Sequence, residues 1–166
     1  MSIRDRQVEG TTTMRRGDDE ATSPGTEAKG RVLVADDDPA MRDLVVEVLC
    51  ADGCDVVAVS SGEDLLLRVR ERSVATWPAT AFDVIVTDHR MPHGNGLDVV
   101  QELRRAGCTT PVLLITGFTD DGMRLKADAL ETMLMVKPVS LDALRTAVQV
   151  LLSLGSLGAS RTTPWP

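Results

Sequence analysis

The chain has 166 residues, 43% of them hydrophobic, which suits one domain with tails and a packed core. Its net charge is −7 and aromatics make up 2%, with no Tyr. This excludes a basic surface for nucleic-acid backbones and an aromatic platform for single strands. Three cysteines without zinc spacing, Cys50, Cys54 and Cys108, read as reduced structural thiols. No apolar segment approaches the roughly 20 residues of a membrane span, and no secretory signal precedes the first strand. The expectation is a cytoplasmic protein without membrane insertion or nucleic-acid binding.

Residues 1–29 are poor in large apolar side chains and read as a disordered N-terminal tail. The folded unit is expected at 30–154, followed by a C-terminal tail at 155–166. No internal repeat is present. A first strand, Arg31 to Ala35, runs into Asp36-Asp37-Asp38. Asp38 can cap a helix with Pro39 in its first turn. Met41, Leu44, Val45, Val48 and Leu49 then recur at helical spacing up to Gly53. Val56 to Val59 is a second strand. Ser61-Gly-Glu-Asp64 resembles a capping box before Leu65, Leu66 and Val69. Ser73 to Thr80 reads as a loop around Trp77-Pro78.

The third strand, 83–87, reaches Asp88 and a Pro/Gly turn from Met91 to Gly96. A helix from about Leu97 to Arg105 carries Leu97, Val100 and Leu103 and closes at Gly107. The fourth strand, Pro111 to Ile115, ends on Thr116-Gly117. A weaker helix, Thr119 to Leu130, offers Met123, Ala127 and Leu130. The fifth strand, Thr132 to Val136, ends on Lys137-Pro138, and Ser140 caps a last helix with Leu141, Leu144, Val148 and Leu151. Five β-α repeats with strands apolar on both faces predict an α/β fold: a doubly wound five-stranded parallel sheet.

In such a sheet, ligands bind outside the carboxyl ends of the strands. The residues there are an acidic cluster, a lone Asp, a hydroxyl and a Lys. Asp36, Asp37 and Asp88 would oppose one another's ionisation. A hard divalent cation such as Mg²⁺ removes that conflict, and zinc's preferred His and Cys ligands are missing. Lys137 and Thr116 can hold phosphoryl oxygens, and a carboxylate can act as a covalent nucleophile. The set suits phosphoryl transfer, which needs mainly positioning and charge neutralisation. His89 and His93 follow Asp88 in a loop and read as surface residues rather than ligands.

These motifs resemble the receiver domains of bacterial two-component response regulators. The matching segments are VLVADDDPAMRDL (32–44), FDVIVTDHRMPHGNGLDVV (82–100), VLLITG (112–117) and VKP (136–138). The resemblance implies a flavodoxin-like strand order, 2-1-3-4-5. It makes Asp88 the phosphoacceptor and assigns Mg²⁺ to Asp36, Asp37, Asp88 and the Arg90 backbone carbonyl. Thr116 becomes the switch hydroxyl and Lys137 the phosphate-binding lysine, with a cis bond before Pro138. The implied partners are a sensor histidine kinase or histidine phosphotransfer protein and an unidentified downstream protein. The output face would be the fourth helix, fifth strand and fifth helix, through which a homodimer could also form.

The chain departs from the family where an aromatic or His usually precedes the lysine by three residues, since Leu134 stands there. Leu130-Glu131 replace a Gly-Ala pair, Val139 replaces an aromatic, and the stretch between strands two and three is long. Arg90 and Phe118 occupy positions that flank the phosphoryl group. With no recognisable output domain after the last helix, the expectation is a stand-alone response regulator that is not an enzyme in its own right. It would signal by protein contact or phosphorelay. The first alternative is a receiver-like interaction module that is not phosphorylated. The second, a phosphatase of the haloacid dehalogenase type, fits Asp36-Asp37-Asp38 nominally but lacks a cap domain and a second acidic motif.

Overall fold

The computed structural model describes residues 28–71, 82–92 and 94–159. The tail expected at 1–29 falls almost wholly outside the described residues, as do the Trp77-Pro78 loop and His93. Five strands and five helices alternate among the described residues: β1 (Arg31–Ala35), α1 (Pro39–Ala51), β2 (Asp55–Val59), α2 (Gly62–Glu71), β3 (Val84–Asp88), α3 (Gly96–Arg105), β4 (Val112–Thr116), α4 (Asp121–Ala129), β5 (Thr132–Val136) and α5 (Leu141–Ala159). All strand pairs are parallel, in the order β2-β1-β3-β4-β5. The doubly wound 2-1-3-4-5 sheet expected from the sequence is what forms.

Alternation along each strand divides the core into two layers. Val32, Val34, Val84 and Val86 face α1 and α5, where Val45, Val48, Leu49, Leu144, Val148 and Leu151 complete one cluster. Leu33, Ala35 and Ile85 face α2 and α3 and pack with Leu65, Val69, Val100 and Leu103. A smaller cluster of Leu97, Leu114 and Ala127, with Met123, Leu130 and Leu134 at its border, seats α4. The middle strands β3 and β4 are buried along their full length, while the edge strands β2 and β5 are only partly covered.

Local chemistry sets most helix ends. The Asp38 carboxylate accepts from the amides of Ala40 and Met41 and caps α1, with Pro39 in the first turn. Ser61 Oγ accepts from the Asp64 amide and donates to the Asp64 carboxylate. Asn95 caps α3, Asp120 caps α4, and Ser140 accepts from Ala143 N at the start of α5. Gly53 and Gly107 sit just past α1 and α3 at φ +88° and +85°, the left-handed position glycine takes most easily.

Four particulars differ from the sequence pattern. α5 continues to Ala159, five residues past Leu154. Gly155 does not stop the helix: a Cβ there would lie 3.3 Å from the Asp83 carbonyl oxygen, so the glycine admits close approach to the start of β3. α4 is shorter than expected because Asp120 caps it. Leu44 and Leu141, read as inward-facing, are 39% and 36% exposed. Finally, Cys50 is exposed, whereas Cys108 is buried.

Leu130 and Glu131 are held by Arg104. Its Nε donates to the Leu130 carbonyl at 2.9 Å, and its Nη1 to the carbonyls of Cys108 and Thr110 at 2.8 and 2.9 Å. This one guanidinium ties the end of α3, the entry to β4 and the α4–β5 turn, where Glu131 adopts φ +50°. Replacing it strands carbonyl acceptors that water reaches poorly. Arg104→Met is expected to lower unfolding stability by about 2–3 kcal/mol in urea denaturation, and an unchanged midpoint would contradict this role.

Candidate functional site

Sheet register brings the strand-end residues to one edge. Ala35 pairs with Thr87, so Asp36 and Asp88 leave β1 and β3 side by side. Asp88 pairs with Ile115 and Thr116 with Val136, which sets Thr116 and Lys137 one step further along. The chain departs from β1 toward β2 on one side and returns to β3 on the other. The crevice between β1 and β3 is therefore the topological switch point where open α/β sheets bind ligands.

Asp36, Asp88 and Thr116 are 3%, 5% and 2% exposed; Asp37 is exposed and Lys137 half-buried. Both oxygens of Asp88 are engaged. Lys137 Nζ lies 2.6 Å from Oδ1, and the Arg90 amide donates to Oδ2 at 2.7 Å. Lys137 is aimed by its own backbone: its amide donates to the Thr116 carbonyl at 2.7 Å, and a cis bond joins it to Pro138. Burial alone would depress the lysine, but the hydrogen bond and charge of Asp88, with Asp36 and Asp38 behind it, raise its pKa above the ordinary value.

Asp36 is in the opposite position. Burial pushes its carboxyl pKa up, and the nearby charges of Asp88 and Asp37 add to the rise. The Asp38 amide and Lys137 only partly offset it. Among the described residues no three His, Cys, Asp or Glu side chains form a metal-holding group by themselves. The donor set is instead a partial one, two or three carboxylates and a carbonyl. That suits Mg²⁺, which keeps several waters and takes few protein oxygens. A dication beside Asp36 would offset both the cost of burying its charge and the smaller repulsion from Asp88 and Asp37, so the residues present fit the ion. Asp38, as expected, serves the helix: both its bonds go to α1 amides.

Thr116 is close to the site but turned from it. Its hydroxyl donates to the Phe118 carbonyl at 2.6 Å, and no hydrogen bond joins it to Asp88. Leu134 pairs with Leu114 across β4 and β5 and borders the apolar cluster beneath α4. It also floors a shallow groove between α4 and β5, beside Arg124, Asp128, Met133 and Val136. The Arg90 side chain is exposed, as is Phe118 at 62%. His89 is half-buried, and burial pushes its pKa down; among the described residues its Nδ1 has no hydrogen-bond partner.

Sequence reading missed two contributors. Gly96 opens α3 directly behind Asp88, with its amide donating to the His89 carbonyl at 2.8 Å. A Cβ on it would lie 2.4 Å from the Asp88 carbonyl oxygen and 2.5 Å from Leu114 Cδ1. Arg42, on α1, donates from Nη1 to the Asp36 carbonyl at 2.8 Å. The visible signal for Gly96 was the glycine-rich turn after Asp88. For Arg42 it was only a spacing of six residues from Asp36.

Fold and site together define a doubly wound α/β domain with an acidic mouth closed by a lysine. The sequence model for the response regulator receiver domain matches residues 32–149, and the chain belongs to that family. It is 34% identical over 127 residues to the transcriptional regulatory protein CiaR of Streptococcus pneumoniae, covering 74% of this chain and 51% of CiaR. It is 33% identical to the virulence sensor protein BvgS of Bordetella bronchiseptica over 89% of this chain and 12% of BvgS. The chain thus spans about half of the first relative and a small part of the second. Among solved structures it resembles a Francisella response regulator receiver domain (TM-score 0.65, 25% identity, 75% of this chain and 98% of that one). It also resembles the chemotaxis response regulator CheY4 of Vibrio cholerae (TM-score 0.63, 26% identity, 73% and 97%).

Because a Cβ at residue 96 would strike the Asp88 backbone as well as the Leu114 side chain, Gly96→Ala should displace the Asp88 peptide. The expected loss is about 2–3 kcal/mol of stability by chemical denaturation, with shifted amide resonances at Asp88 and His89. Wild-type stability and spectra would refute the close approach.

Proposed function

We propose that this receiver accepts a phosphoryl group on Asp88 from the phosphohistidine of a sensor histidine kinase or histidine phosphotransfer protein. The observation that carries the reading is the buried Asp88 carboxylate, held through both oxygens at the switch point beside Asp36. An Asp88 oxygen attacks phosphorus, the phosphorus–nitrogen bond of the donor breaks, and the imidazole leaves and regains a proton. Lys137 shifts its ammonium from the carboxylate to a phosphoryl oxygen. The Arg90 amide remains available to the anion, and the Thr116 hydroxyl exchanges the Phe118 carbonyl for another phosphoryl oxygen. Mg²⁺, held by Asp36, Asp37, Asp88 and the Arg90 carbonyl, would supply neutralisation of the negative charge that gathers during transfer.

Release of Phe118 by Thr116 frees the β4–α4 loop, and the equilibrium of the α4-β5-α5 face shifts with it. Output then follows by protein contact, including a homodimer through that face, or by passing the phosphoryl group onward. A receiver-like module that signals without phosphorylation is favoured by one observation, Leu134 in place of a swinging ring. It leaves unexplained the pairing of Lys137 with Asp88.

Incubation with acetyl phosphate and Mg²⁺, followed by intact mass, should add one phosphoryl group. Asp88→Asn and a chelator should each abolish the adduct, whereas an undiminished adduct on Asp88→Asn would sink the assignment. Hydrogen exchange with beryllofluoride should show faster exchange at Phe118 and the first turn of α4. Thr116→Val should remove that response; because its hydroxyl holds only one of the phosphoryl oxygens, the variant should gain the adduct more slowly without losing it. Equal responses in both proteins would remove Thr116 from the readout.

A further inference from the structure

The loop between β1 and α1 carries the two carboxylates assigned to the cation, yet they are held very differently. Asp36 is fixed at every polar group. Its amide donates to the Val59 carbonyl at 3.3 Å, its carboxylate accepts from the Asp38 amide at 2.9 Å, and its carbonyl accepts from Arg42 Nη1 at 2.8 Å. Asp37 is exposed, and no hydrogen bond or ion pair among the described residues holds its side chain. Its direction is set through the backbone alone, and the peptide that joins it to Asp36 is the one whose carbonyl Arg42 grips.

Arg42 is well placed for this task. Its own amide donates to the Asp38 carbonyl at 2.9 Å, so the residue belongs to the first hydrogen-bonded turn of α1. Its half-buried side chain reaches back over that turn to the end of β1. A guanidinium-to-carbonyl bond is charge-assisted and stronger than a neutral one.

We propose that Arg42 is a positioning residue of the phosphoacceptor site. By holding the Asp36 carbonyl it fixes the Asp36–Asp37 peptide and thereby presents Asp37 to the cation. The inference rests on the Mg²⁺-dependent phosphoacceptor reading above. Residues that orient metal ligands without touching the metal commonly govern affinity by 10–100-fold when replaced, and Arg42 is assigned an effect of that order.

The test is calorimetric titration of Mg²⁺ into the full chain, well below its unfolding midpoint, for wild type, Arg42→Met, Arg42→Lys and Arg104→Met. Arg42→Met should weaken Mg²⁺ binding roughly tenfold or more. Arg42→Lys, which can return one donor to the carbonyl, should recover part of it. Arg104→Met, whose guanidinium holds carbonyls far from the mouth, should lower the unfolding midpoint without changing the Mg²⁺ affinity. Arg42→Met binding as tightly as wild type would overturn the proposal. So would an equal loss in Arg42→Met and Arg104→Met, since that would reflect general loosening. Absence of Mg²⁺ binding by wild type would instead overturn the function from which the inference starts.

Discussion

A carboxylate taken out of water must be paired, and Asp88 is paired with Lys137 at 2.6 Å. Much of the molecule is arranged around that requirement. The two residues stand on β3 and β5, with β4 between them. The lysine can reach only if three strands keep register and the chain turns at the end of β5. The Lys137 amide on the Thr116 carbonyl sets that turn. Removing the lysine would leave the buried Asp88 carboxylate without its cation, a cost that solvent around the half-exposed ammonium reduces. The pair is therefore a condition on the whole carboxyl edge of the sheet, beyond a contact between two side chains.

The fold was legible because its signals were redundant. Strands buried on both faces were written as unbroken apolar runs, and caps such as Asp38 and Ser140 marked where helices began. The ends of helices were less legible. Gly155 looks like a stop in one dimension, but in three it lets α5 approach the backbone at Asp83. Exposed Leu44 and Leu141 show that helical spacing identifies a face without saying how far the sheet extends to cover it.

For the site, residue types at strand ends carried the chemistry, since topology converts chain order into neighbourhood there. What could not be read was the direction of each side chain. Thr116 stands where expected, but its hydroxyl bonds within its own loop. Arg42 and Arg104 were also illegible. Each acts on backbone carbonyls, and a carbonyl has no letter in the sequence. Arginines that grip peptides look like arginines on a solvated helix until the coordinates show where the guanidinium goes.

The seating of α4 has an energetic consequence for how firmly that helix is held. The helix buries only Ala127 fully, with Met123 and Leu130 partly covered, and leaves Leu125 71% exposed. Few apolar contacts are at stake when such a helix shifts, so its alternative placements lie within a narrow band of free energy. Each tenfold change in the ratio of two placements takes only about 1.4 kcal/mol. The gain or loss of one or two hydrogen bonds is of that size. The thin anchorage under α4 makes its placement easy to bias, within a range bounded by the small cluster beneath it.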